Sequence, residues 1–235
     1  MKSSRKRSRL PFRKIAPNMV TSGNLLCGMM ALMLLFSGRS IPAAWLIFMA
    51  VFFDMLDGKV ARSLGGGTRF GLEYDSLADL VSFGVAPAML IFSVYAGALG
   101  VWGALAGAYF ALCGALRLAR FNVVNTPGPF QGLPIPAGGL FLASFILAGV
   151  PLHPGAAAFL CFTAGSLMIS SVPYGNLKGI EGGGADKKRS LLLGGILAAG
   201  FVVLKSGAPL AAITVYVFSG PLGFDWGKWL SREKG

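Results

Sequence analysis

Apolar residues run along the chain in long blocks separated by short polar or Gly- and Pro-containing connections. The blocks fall at 18–37, 41–60, 76–96, 99–116, 136–150, 155–172, 190–204 and 208–222. An α-helix rising 1.5 Å per residue needs about 20 apolar residues to cross the hydrocarbon core of a bilayer. Most of the blocks meet that length; the fifth and seventh are short and rich in glycine. The pattern predicts an all-α, polytopic membrane bundle of about eight transmembrane helices, spanning 15–222. A basic tail, 1–14, precedes it and a second tail, 223–235, follows. No separate soluble domain is expected. The stretch "GIEGGGADKKRS" (179–190) reads as a Gly-rich, charged loop.

Composition agrees with that architecture. The chain is 54% hydrophobic and 13% charged, with a mean hydropathy of +0.68, whereas soluble domains carry about 25% charged residues. The first apolar block has no small-residue cleavage site and leads into further spans, so it is not read as a secretory signal. A net charge of +12 would point to nucleic acid in a soluble protein. Here its distribution matters more than its size. Of the 21 basic residues, all except Arg39 and Lys205 fall on alternate connections and the two tails. By the positive-inside rule both termini then face the cytoplasm. The expected setting is a prokaryotic cytoplasmic membrane, with lipid rather than nucleic acid as the surrounding partner. Cys27, Cys113 and Cys161 lie in apolar segments without CxxC spacing, and His153 sits in a "PLHPG" turn. None of the four invites a metal or disulfide reading.

The acidic residues change the picture. Only nine occur in the chain, and Asp54, Asp57, Glu73, Asp75 and Asp79 crowd into one stretch. Asp54 and Asp57 are three apart at the end of the second span; Asp75 and Asp79 are four apart at the start of the third. Each pair shares a helix face. The short link between the spans returns the chain as a hairpin, so two carboxylate pairs meet at the cytoplasmic membrane boundary. Aspartates near a bilayer are expensive and repel one another, so a cation must compensate. Salt bridges to Lys59, Arg62 and Arg69 could serve one or two of them but do not explain paired spacing on both helices. Hard oxygen ligands on facing helices suit Mg²⁺ or Mn²⁺, and a pair of such ions clamps a displacement at phosphorus. The glycines at 58, 65, 66, 67 and 71 let backbone approach phosphates, and Arg62 can hold a phosphoryl oxygen.

The run Asp54-Met-Leu-Asp57-Gly58-Lys-Val-Ala61-Arg62, followed at fixed spacing by Gly71, Asp75 and Asp79, resembles the signature of the CDP-alcohol phosphatidyltransferase family. "APNMVTSGNLLCG" (16–28), "DSLADLVSFGVAPA" (75–88), "LRLARFNV" (116–123) and "GLPIPA" (132–137) are similar to its CDP-diacylglycerol–serine O-phosphatidyltransferase branch. The resemblance runs from about residue 15 to 180; the last two spans carry no recognisable motif. It implies that Asp54, Asp57 and Asp75 hold two divalent cations, with Asp79 beside the second ion and acting as general base. Gly58, Ala61, Arg62 and Gly71 would line the cytidine-diphosphate pocket. Asn18 and Thr21 could reach the nucleotide, the competing reading being that they cap the first helix. The implied reaction joins L-serine to the phosphatidyl group of CDP-diacylglycerol and releases CMP. A homodimer is the implied assembly.

The serine site is less defined. Arg117 and Arg120, on one helix face, are the basic residues placed to meet the acceptor's carboxylate, with Arg120 favoured because it lies closer to the loop. The alternative is that they anchor the helix at the interface. Asn122 could bond serine and Glu73 could meet its ammonium group; solvated loop polarity explains both equally. Three other functions compete: the same chemistry with glycerol phosphate or inositol phosphate as acceptor, an intramembrane prenyltransferase, and a cation transporter using the aspartates as a relay. A transporter predicts carboxylates spread through the bilayer's depth and repeated halves. The acids here sit at one level, and no strong repeat is seen.

Overall fold

The computed structural model describes residues 12–64, 66, 68–123, 130–174, 189, 191, 194–195, 202–224 and 226–230. Helix α1 spans Phe12–Phe36 and α2 spans Ser40–Ser63. Next come α3 (Arg69–Asp79), a π-helical turn (Leu80–Val85) and α4 (Ala86–Val94). These three pieces form one continuous apolar helix, Arg69–Val94. Helices α5 (Val101–Val123), α6 (Ile135–Leu147) and α7 (Pro154–Ile169) follow. Towards the C-terminus lie α8 (Ala208–Ser219) and the short α9 (Trp226–Leu230).

Five helices among the described residues are long and apolar enough to cross a membrane: Ala16–Phe36, Ser40–Ser63, Arg69–Val94, Val101–Val123 and Val202–Ser219. Two shorter apolar helices, α6 and α7, pack among them. The protein is therefore a helical membrane bundle. The expected span 190–204 lies mostly outside the described residues; its end, 202–204, is helical and runs through the 3₁₀ turn Lys205–Gly207 into α8. Most of the tails, Gly65, Gly67 and most of the 179–190 loop also lie outside them. The all-α expectation has one small exception. Phe130–Gln131 (β1) and Pro173–Tyr174 (β2) pair antiparallel, Phe130 opposite Tyr174.

The core is apolar, as in a soluble protein, but the outer faces are apolar too, and a few polar residues lie inside. Met29, Met33, Phe36, Trp102 and Phe159 are exposed on the outer faces, whereas Thr21, Asn24, Asp57, Asp79, Ser82 and Ser144 are buried. Apolar outer faces suit hydrocarbon, which has no hydrogen bonds to offer. Helix α6 is the central post. Nearly every position in it is buried, against α2, α4, α7, α8 and the π turn.

The helix starts differ instructively from the apolar blocks. The third block begins at 76, but α3 begins at Arg69, where the Thr68 side chain accepts a hydrogen bond from the Gly71 backbone N–H at 3.0 Å. An N-cap of this kind starts a helix whatever the hydropathy of its first turns. The π turn also has a local cause. Pro87 has no N–H to give to the Phe83 carbonyl, and its ring crowds that group. The ladder widens there, and the Ala86 N–H bonds back to Val81. The freed Phe83 carbonyl lies 2.7 Å from where a Cβ on Gly139 would stand, so α6 approaches only because that position is glycine. On the other side, a Cβ on Gly28 would meet Ser82 Oγ at 2.4 Å. The π turn is thus held between α1 and α6.

Candidate active site

The end of α2 and the start of α3 bring three carboxylates together. Asp54, Asp57 and Asp75 each offer an oxygen, and these oxygens lie within 4.8 Å of one another. Asp57 is buried; the other two are half-buried. Asp79 lies outside this trio, one turn further along α3, and is buried. Its Oδ1 accepts a hydrogen bond from Asn24 Nδ2 at 2.9 Å, and Asp54, Asp75 and Asp57 all act on it electrostatically. The four aspartates form one negative field at the mouth of the α2–α3 hairpin.

Helix α1 supplies the facing wall. The Thr21 hydroxyl donates to the Pro17 carbonyl at 3.1 Å and is also within hydrogen-bonding reach of the Asp57 carboxylate. The Gly58 backbone bonds the same carboxylate. Asn18 Oδ1 lies 3.1 Å from where a Cβ on Gly71 would stand, so this polar side chain meets the glycine of the α3 entry. Capping does not account for Asn18 or Thr21, because α1 already begins at Phe12. Ser22 Oγ lies 2.9 Å from Tyr74 Oη and pins α1 to α3. Among the described residues, nothing stands within 4 Å of where a Cβ on Gly58 would be. Arg62 is exposed one turn beyond Gly58, and Ala61 is half-buried.

The donor set fits divalent cations. Asn24 Oδ1 and Asp57 Oδ2 are buried and accept no hydrogen bond among the described residues. Buried acceptors left so are expensive, by about 1–3 kcal/mol each, more for a charged group. A hard cation bound by oxygen would relieve both the orphaned acceptors and the carboxylate repulsion.

The chain regions expected to hold the acceptor are placed unequally. Arg120 is exposed and donates to Gln131 Oε1. Arg117 is turned inward, its Nε buried without a hydrogen-bond partner, in electrostatic range of Asp79 and of Tyr216 on α8. Asn122 Nδ2 donates to Glu73 Oε2 at 3.2 Å and to Ser76 Oγ at 3.1 Å, tying α5 to α3. Sequence reasoning passed over Asn24, Ser82 and Tyr216. Asn24 had a signal: Asn18, Thr21 and Asn24 recur at intervals of three along α1, and Asn24 continues that polar series into the apolar part of the helix. Ser82 donates to the Asn24 carbonyl at 2.9 Å and so steadies that contact from the π turn.

Comparison with known proteins bears on this geometry. The CDP-alcohol phosphatidyltransferase family matches residues 14–172, from α1 to just beyond α7. The chain belongs to that family. Similar proteins of the family include a Methanocaldococcus jannaschii protein named CDP-diacylglycerol–serine O-phosphatidyltransferase. It is 42% identical over 157 residues, covering 66% of this chain and 71% of that one. A Helicobacter pylori protein of the same name is 36% identical, covering 70% and 73%. One from Bacillus subtilis is 37% identical, covering 69% and 90%. A Methanothermobacter thermautotrophicus relative, 40% identical over 70% of this chain and 71% of its own, is named archaetidylserine synthase.

Proposed function

We propose that the chain transfers a phosphatidyl group from CDP-diacylglycerol to the hydroxyl of L-serine, giving phosphatidylserine and CMP. The observation that carries this reading is the convergence of Asp54, Asp57 and Asp75 at the ends of two membrane helices, in a chain whose relatives are named for that reaction. Asp54, Asp57 and Asp75 would hold Mg²⁺ or Mn²⁺, with Asp79 beside a second ion, and the bound cations would neutralise charge on the phosphoryl oxygens. Gly58, Ala61 and Gly71 leave small-residue surface for the nucleotide, with Asn18 and Thr21 on the facing helix. Arg62 holds a phosphoryl oxygen. Asp79 is the general base: it takes the proton of the serine hydroxyl as that oxygen bonds to phosphorus and the bond to CMP breaks. Its hydrogen bond from Asn24 orients the carboxylate for that task. Arg117, turned toward Asp79, is the favoured partner for serine's carboxylate, ahead of Arg120 and Asn122.

The acids face the cytoplasm in this reading, where CMP is released, while the lipid tails stay in the bilayer. Two copies form the working assembly. The test is CMP release by purified protein in lipid nanodiscs carrying CDP-diacylglycerol. Release is expected only with L-serine and a divalent cation, and is lost in chelator and restored by Mg²⁺ or Mn²⁺. Release with glycerol phosphate or inositol phosphate in place of serine would reassign the acceptor. Release that persists in excess chelator would make the aspartates structural.

A further inference from the structure

The family match ends at residue 172, before α8, yet α8 brings a side chain into electrostatic range of Arg117, the residue favoured above for the acceptor. Three contacts hold it there. Tyr174 of β2 is buried and its hydroxyl donates to the Val217 carbonyl at 2.9 Å. The Tyr174 ring lies against Gly220, where a Cβ would stand only 2.4 Å from the ring. The Tyr174 and Tyr216 rings pack at 5.7 Å between centroids. Helix α6 supports α8 from the other side. This seating places Tyr216, half-buried, in electrostatic range of Arg117. Among the described residues no hydrogen bond forms on the Arg117 Nε–H, which is buried, and none is made by the Tyr216 hydroxyl.

We infer that Tyr216 is a specificity-determining residue: its hydroxyl and the Arg117 Nε–H together bind the carboxylate of the acceptor amino acid. The inference rests on the serine reading given above and adds to it the residue from the C-terminal helix. Two donors in a low-dielectric site suit one carboxylate, which accepts at both oxygens. A buried guanidinium N–H left without an acceptor is unfavourable, and an acceptor lacking the carboxylate leaves it so. That asymmetry produces selectivity against carboxylate-free amino alcohols.

The test uses full-length protein in nanodiscs with Tyr216→Phe, Arg117→Lys and the double variant. Tyr216→Phe keeps the ring against Tyr174 and removes only the hydroxyl. The expected result is a rise of roughly tenfold in KM for L-serine, an unchanged KM for CDP-diacylglycerol and an unfolding temperature equal to wild type. The preference for serine over 2-aminoethanol narrows by a similar factor. The effects of the two single changes on serine KM combine to less than their product, because both act on one carboxylate. An unchanged serine KM in Tyr216→Phe overturns the inference, and so does a parallel rise for both substrates or a lowered unfolding temperature. The wild-type arm reports on the parent reading separately. Wild type that prefers 2-aminoethanol overturns both, whereas a serine-selective wild type with an indifferent Tyr216→Phe overturns this inference alone.

Discussion

Asp57→Asn keeps the shape of a buried side chain and removes its charge. The carboxylate has one buried oxygen without a donor and stands among three other acids. Its ionised form therefore lowers stability wherever no cation is bound. The amide is expected to unfold at the same or a higher temperature than wild type in chelator, while CMP release falls by about 100-fold or more. Thermal unfolding and CMP assays on the same preparation check both; near-normal turnover would end the cation-ligand assignment. A second contrast separates the two arginines. Lys keeps charge but loses the planar guanidinium and its Nε–H, so Arg117→Lys should raise the KM for serine about tenfold. Arg120→Lys should change it little, because Arg120 is exposed and occupied with Gln131. Equal effects in steady-state kinetics would return both residues to the same role. That the pair shared a face was legible from spacing; which member turned inward was not, because their surroundings come from later in the chain, Tyr216 of α8 for Arg117 and Gln131 of β1 for Arg120.

At the scale of the element, the π turn sets how Asp79 meets α1. Its backbone lies so close that a methyl group at Gly28 would overlap Ser82 Oγ at 2.4 Å and approach Ser82 Cα at 2.8 Å. Gly28→Ala is expected to lower stability by about 1–3 kcal/mol and to reduce kcat, since pushing α1 away also moves Asn24 off Asp79. Thermal unfolding and turnover at saturating substrates measure the two effects. An unchanged unfolding temperature would show that the helices are not closely seated there. The hairpin of acids was readable because helical spacing is local. The seven additional residues of α3 before its apolar block were not, since Thr68 caps a polar turn that hydropathy alone assigns to a loop.

Across the whole molecule, the alternation of basic connections predicts that residues 1 and 235 lie on the same, cytoplasmic side. Reporter fusions at each end, scored for activity in the cytoplasm or beyond it, should agree with each other. Opposite sides would mean an odd number of crossings and a bundle other than eight. The count of eight rests on the short helices α6 and α7 and on 190–204, most of which lies outside the described residues. Helix α6 has 13 residues, about 20 Å of helix, and is buried almost throughout, so packing against neighbours rather than lipid contact defines its depth.

Local periodicity and composition determined the helical membrane class and the approximate positions of most described spans. They also marked the carboxylate pairs at the α2–α3 hairpin and, through the motif, the family. These properties depend on residues near one another in the chain, where spacing sets geometry directly. Tertiary structure alone decided that Asn24 on α1 holds Asp79, that Arg117 rather than Arg120 turns toward the acids, and that Tyr216 joins it from α8. Each of those pairings joins helices far apart in sequence. Whether they meet is set by close approaches at Gly28, Gly139 and Gly220 and by the widened turn before Pro87, which have no signature in hydropathy.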